Sequence, residues 1–144
     1  MPITPVDENL TYVYLVVGSV IKRDGKFLLV QEKKPSVRGL WNLPAGKAEK
    51  QFTLEENAIK EAKEETGFDV EIIKEIGVFH QEGEKSVKHT YQAKIIGGEL
   101  NIPEDEIMDA KWFSFDEIYK LNQEDKIRNG WAYRAIKLSE SVVN

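Results

Sequence analysis

From Thr11 to Lys22 apolar residues fall on consecutive positions instead of alternating with polar ones. A run of Val, Tyr and Ile that is apolar on both sides predicts a strand central in a sheet. Asp24-Gly25 is a hairpin-turn pair, and Lys26 to Glu32 reads as the returning strand. Lys33 to Gly39 reads as a polar loop, and Leu40 to Leu43 as a short strand stopped by Pro44. The period then changes. Thr53 followed three residues on by Glu56 is a capping box, which predicts a helix to about Thr66 with Gly67 as its C-terminal cap. Ala58, Ile59 and Ala62 are expected to form its core face. Strand-like composition returns over Phe68 to Phe79, Ser86 to Ile96 and Ala110 to Phe113, with Gly97-Gly98 breaking the chain after the second. Ser114 and Glu117 form a second capping box opening a helix through Leu121. Asn129 is expected to cap a last helix carrying Trp131, Ala135 and Leu138 on one side. Strands, helix, strands and helices in that order predict an α/β (α+β) fold, a mixed sheet flanked by helices, in one domain over residues 1–144.

Composition narrows the chemistry. Cysteine is absent, which excludes disulfides and thiolate metal sites. The two histidines, His80 and His89, fit no histidine-based zinc motif. The net charge of −5 argues against a broad nucleic-acid-binding face, although bound cations would let an acidic chain accept a nucleotide. Met1 to Leu10 carries Asp7 and Glu8 and no apolar run, so no signal peptide is expected. Without a span-length apolar stretch, no membrane partner is expected and a cytoplasmic location follows by default.

The acidic end of the first helix carries candidate chemistry. Glu61, Glu64 and Glu65 stand at i, i+3 and i+4, and so share a helix face. Hard divalent cations take such oxygen ligands and bridge them to phosphates. The same residues also read as a solvated helix with Glu56–Lys60 and Lys60–Glu64 ion pairs. Ahead of them, Trp41-Asn42-Leu43-Pro44-Ala45-Gly46 leads from a short strand through a glycine turn into the helix.

With that loop, Gly46 to Phe68 resembles the Nudix box, G-x5-E-x7-R-E-U-x-E-E-x-G-U, where U is a bulky aliphatic residue. Gly46, Glu61, Glu64, Glu65 and Gly67 match at the right spacing. Phe52 stands where the box has its first glutamate, Lys60 replaces the arginine, and Ala62 and Phe68 replace the aliphatics. Glu49 lies near enough in sequence to compensate for Phe52. Phe52 is not expected to act as a hydrophobic staple, because the partner position holds Asn57.

The resemblance implies a Nudix-type α/β/α sandwich around a mixed sheet. It implies hydrolysis of a diphosphate bond in a nucleoside diphosphate linked to another moiety, by metal-activated water, with Mg²⁺ or Mn²⁺. Glu61 and Glu65 would be the principal metal ligands, Glu64 a ligand or base, and the Ala45 and Gly46 backbone would approach metal or phosphates. Glu106, before Trp112, would be a further ligand or general base, with Glu104 second to it, and Arg38 could reach a phosphate. Tyr12, Tyr14, Phe79 and Tyr91 are candidates for base stacking or for the core. The implied partner is a small nucleotide-like molecule, and the resemblance permits a homodimer. The alternative is a Nudix-like module that binds a nucleotide as a sensor, because the box is imperfect at Phe52 and Lys60.

Overall fold

The computed structural model describes residues 6–141. The ends of the expected 1–144 domain, and the first five residues of the stretch read as lacking a signal peptide, lie outside the described residues. Strand β1 (Tyr14–Arg23) turns at Asp24-Gly25 into β2 (Lys26–Glu32). Both turn residues have positive φ, 52° and 76°, as a two-residue hairpin turn demands. The two strands pair only next to the turn, at Lys22–Phe27 and Arg23–Lys26. Beyond it they part. On one side β1 pairs parallel with β6 (Ser86–Gly98), and β6 pairs antiparallel with β5 (Phe68–Phe79). On the other side β2 pairs antiparallel with β3 (Trp41–Asn42) and β7 (Ile107–Phe113). In the gap, β4 (Ala45–Lys47) lies antiparallel against Val16–Gly18 of β1. The sheet is therefore mixed, with order β3-β2-β1-β6-β5.

Residue parity along β1 shows how its two faces are covered. Val17 and Ile21 pack in clusters with Ala58 and Ala62 of α1 (Leu54–Thr66). Val20, of opposite parity, packs with Ile118 of α2 (Phe115–Gln123) and with Trp131, Ala132, Ala135 and Ile136 of α3 (Trp131–Ser139). Alternate strand side chains point to opposite faces, so α1 covers one face and α2 with α3 the other. Among the described residues no helix is long and apolar enough to cross a membrane.

Several sequence expectations are corrected. β1 starts at Tyr14 instead of Thr11. The predicted Leu40–Leu43 strand contracts to Trp41–Asn42, and β4 was not foreseen. Pro44 lacks an N–H, but its carbonyl accepts from Ser19 and the N–H of Ala48 donates to Leu15, so the chain rejoins the sheet directly after the proline. The expected loop after β2 holds one 3-10 turn at Pro35–Val37, and α2 runs to Gln123. β6 runs through Gly97 to Gly98, whose positive φ of 77° ends it, and β7 starts three residues early, at Ile107. Asn129 does not cap α3. It has φ 56° inside a 3-10 turn, and Gly130, in the left-handed region, precedes the helix with no side-chain cap. Leu138 is exposed and Ile136 takes the core position. Ile59 is likewise 37% exposed, leaving Asn57, Ala58, Ala62 and Thr66 as the buried residues of α1.

Candidate active site

The start of α1 is fixed by both halves of its capping box. Thr53 Oγ1 accepts from the Glu56 N–H at 3.1 Å, and the Glu56 carboxylate accepts from the Thr53 N–H at 2.9 Å. Asn57 then ties the preceding loop to the helix. Its Oδ1 accepts from the Glu49 N–H at 2.8 Å, while Nδ2 donates to the carbonyls of Thr53, Glu49 and Phe52 at 2.9, 3.1 and 3.3 Å. This buried amide sits where an apolar staple partner would stand, which is why Phe52 remains 39% exposed. A polar residue on the core side of an amphipathic helix was the available sequence signal.

With both ends of this loop held, β4 runs beneath the carboxylates of α1. A Cβ at Gly46 would stand 2.6 Å from Glu61 Oε1, so glycine there leaves the room that this carboxylate fills. Glu65 Oε1 accepts from the Ala45 N–H at 3.0 Å. Burial pushes the Glu65 carboxyl up to about 8, against the lowering effect of the Ala45 bond, with the charges of Glu61, Glu32 and Glu106 adding to the rise. Burial, then the neighbouring Glu64, also raises Glu61 above the usual carboxylate range, with Glu49 and Glu106 adding to it. Glu64 is exposed and turned aside, its carboxylate 2.6 Å from Lys60 Nζ. Lys60 also holds Glu49 at 2.9 Å, so Glu49 gives this lysine the second carboxylate that Phe52 cannot. Those two hydrogen bonds raise the Lys60 ammonium above its ordinary value, and the Lys60 bond lowers Glu49.

Among the described residues no three acidic or histidine side chains stand close enough to form a ready-made ion cage. The donor chemistry nonetheless suits a hard divalent cation. Glu61 and Glu65 bring carboxylates to one stretch of β4, both pushed toward the protonated form by burial, with the charge of Glu64 adding at Glu61 and that of Glu61 at Glu65, and a cation would relieve both. Glu106 is exposed in the loop before β7, and its charge reaches both of them. Glu104, also exposed, offers its carbonyl to Lys33 Nζ at 2.7 Å. Arg38 is exposed and donates to the carbonyl of Lys33 at 3.3 Å, within its own loop.

On its other side β4 borders a cavity of about 150 Å³ at the open end of the β1–β2 hairpin. Val16 and Ala45–Lys47 form one wall and Glu32 with Asn42 another, with Lys88, Arg128, Asn129 and Trp131 closing it. Glu32 pairs with Arg128 at 2.8 Å, and burial raises its carboxyl although Arg128 opposes the rise. Lys88 pairs with Glu84, both almost fully enclosed. Trp131 donates its indole N–H to Thr90 Oγ1 at 3.0 Å, and its ring lies where a Cβ on Gly18 would be 2.9 Å from Cζ2. The sequence reading missed Glu32, Asn42, Lys88, Arg128 and Trp131, which come from five separate elements. Of the aromatic residues it named, Tyr91 is buried, Phe79 packs against the α2–α3 cluster, and Tyr12 and Tyr14 are exposed.

A family model described as the NUDIX domain matches residues 13–134. The chain is 31% identical over 111 residues to the ADP-ribose pyrophosphatase of Methanocaldococcus jannaschii, which covers 74% of this chain and 65% of that protein. It is 30% identical over 115 residues to the 8-oxo-dGDP phosphatase of Mus musculus, covering 78% of this chain and 35% of that protein. Against several curated relatives, then, this chain spans only about a third of their length, 31% and 35% in two cases. Among solved structures, a NUDIX hydrolase from Nitrosomonas europaea matches with a TM-score of 0.76 at 25% identity over 88% of each chain. The mixed sheet between α1 and the α2–α3 pair, the carboxylates over β4 and these matches agree: the chain belongs to the Nudix hydrolase family.

Proposed function

We propose that this chain hydrolyses the diphosphate bond of a nucleoside diphosphate linked to another moiety, with Mg²⁺ or Mn²⁺ held by Glu61, Glu65 and Glu64. The observation that carries the reading is the gathering of Glu61 and Glu65 against the Ala45–Gly46 backbone. When bound, the cation offsets the charge of the diphosphate and polarises the phosphorus under attack. The protein's own part is positional. Gly46 carries no side chain to hold the diphosphate away from the carboxylates, and the Ala45 N–H fixes Glu65 in place. Glu64 joins the set by turning from Lys60, a movement its exposure permits. Glu106 takes the proton of the attacking water. It is exposed, it lies near enough to act electrostatically on Glu61 and Glu65, and no structural hydrogen bond engages its carboxylate among the described residues. The group beyond the diphosphate extends past β4 into the Glu32–Trp131 cavity.

The relatives' names supply two members of the panel that tests this, ADP-ribose and 8-oxo-dGDP; nucleoside triphosphates, nucleotide sugars and dinucleoside polyphosphates complete it. Phosphate or nucleotide release is followed with Mg²⁺, with Mn²⁺ and with chelator. Release from at least one substrate that stops with chelator is expected. Nucleotide binding without release from any of them would instead favour the sensor.

A further inference from the structure

The cavity beside β4 does not end at Val16. An open recess shares Val16, Ser86, Arg128 and Asn129 with it, and that recess shares Tyr14, Gly83, Glu84 and Lys85 with a groove of about 600 Å³. The strand register explains the opening. Tyr14, Val16 and Gly18 fall on the face of β1 that α3 covers, because alternate residues share a side. Helix α3 begins at Trp131, whose ring lies over Gly18, and Tyr14, four residues back along the strand, is 55% exposed. On this face Lys47 of β4 stands opposite Val16, and Ser86 of β6 opposite Tyr14.

The exposed end of the face is built from rings. Tyr12, Tyr14 and His80 all line the groove. Each is anchored. The Tyr14 N–H donates to the Lys85 carbonyl at 2.7 Å, the Tyr12 hydroxyl accepts from the Asp7 N–H at 3.0 Å, and His80 Nδ1 lies 2.8 Å from the Ser86 carbonyl. Lys47 links these rings to the carboxylates over β4. It follows Gly46 in the chain, lines the β4 cavity, and sets its ammonium 4.0 Å from the centre of the Tyr14 ring. Lys88, on the other side of Val16, is instead paired with Glu84. A ring attracts a cation without neutralising it, so the charge of Lys47 remains to complement a phosphate.

A cavity of about 150 Å³ falls below the roughly 300–1,000 Å³ usual for a small-molecule site, so a larger group entering it from β4 must continue outward. The continuation leads to Tyr14. We propose that Tyr14 is a specificity-determining residue that stacks a second base of the substrate, which is therefore a dinucleotide whose diphosphate joins two nucleosides. The diphosphate passes Lys47, the second sugar occupies the β4 cavity, and the second base lies against Tyr14 in the groove. Stacking is tolerant of base identity, because every base has a flat face. This rests on the nucleotide-hydrolase reading, because it deepens the same site. It requires only binding, so it is tested apart from turnover.

The test measures binding of two probes by calorimetry with Mg²⁺ at neutral pH. They are methylene-bridged analogues of ADP-ribose and of diadenosine diphosphate, which resist cleavage. The second carries an adenine where the first has its anomeric hydroxyl. The two-base probe is expected to bind about tenfold or more tightly than the one-base probe. In Tyr14→Ala the ratio should fall to about twofold or less, whereas Tyr14→Phe keeps the ring and should keep the preference. Thermal unfolding of both variants is followed in parallel, and the wild-type ratio stands without any variant. Equal binding of the two probes by the wild type, or a preference unchanged in Tyr14→Ala, overturns the proposal. Loss of the preference in Tyr14→Phe as well would also overturn it, because the ring would not be what is read. Cleavage of panel substrates with no binding preference would overturn it while leaving the hydrolase reading intact. Absence of both binding and cleavage would overturn both.

Discussion

Gly46 and Glu61 occupy each other's space: a Cβ on Gly46 would sit 2.6 Å from Glu61 Oε1 and nearer still to the carboxyl carbon. The helix cannot yield, because Ala58 and Ala62 are buried against the sheet, so the Glu61 side chain must move instead. Gly46→Ala is therefore expected to lower turnover by about 10²-fold, the cost of displacing a reacting group by about 1 Å. Stability should change far less, because Glu61 is only partly buried. Steady-state kinetics beside thermal unfolding separate the two effects.

Glu65 makes the metal-free protein sensitive to pH. Its native value, about 8, lies above the ordinary 4.5. Between those values the unfolded chain has lost the proton that the native chain keeps, so the native state binds more protons and stability falls as pH rises. The contribution is fully present below about 4.5 and lost as pH rises through about 8. In chelator, denaturant unfolding should show this decline, and Glu65→Gln should flatten it. Adding Mg²⁺ to the wild type in this window should release protons, measurable in weakly buffered solution.

Asn57 meets four backbone groups with one side chain. Asn57→Ala leaves the Glu49 N–H and the Phe52 carbonyl without this partner in a partly buried setting. We expect a loss of about 2–4 kcal/mol in chemical unfolding. Turnover should also fall, because the loop that this amide holds leads directly from β4.

Lys60 keeps Glu64 away from Glu61 and Glu65. Lys60→Met removes a cation from the carboxylate patch and frees Glu64, so Mn²⁺ affinity should rise a few-fold. An unchanged or weaker affinity in a paramagnetic titration would mean that Glu64 does not join the site.

Elements whose physics is local were legible in the sequence. The hairpin at Asp24-Gly25, the Thr53–Glu56 and Ser114–Glu117 boxes and the Gly67 cap each depend on neighbours within four residues. β4 was not, because three residues after a proline carry no pattern of their own and pair only because β1 lies open there. The acidic helix positions were readable from spacing, but their differing surroundings were not. Glu65 meets a β4 amide and Glu64 a lysine, although both belong to one acidic run. The cavity was invisible for the same reason, since Glu32 and Arg128 are 96 residues apart and meet only through the fold.

The proposed hydrolysis depends on a cation held by the carboxylates over β4. It is tested most directly by measuring Mn²⁺ binding and substrate cleavage on the same samples of wild type and Glu65→Gln. Saturable binding and metal-dependent release are expected in the wild type, with both lost or greatly weakened together in Glu65→Gln while the variant stays folded. Glu65→Gln that binds Mn²⁺ and cleaves like the wild type would contradict it.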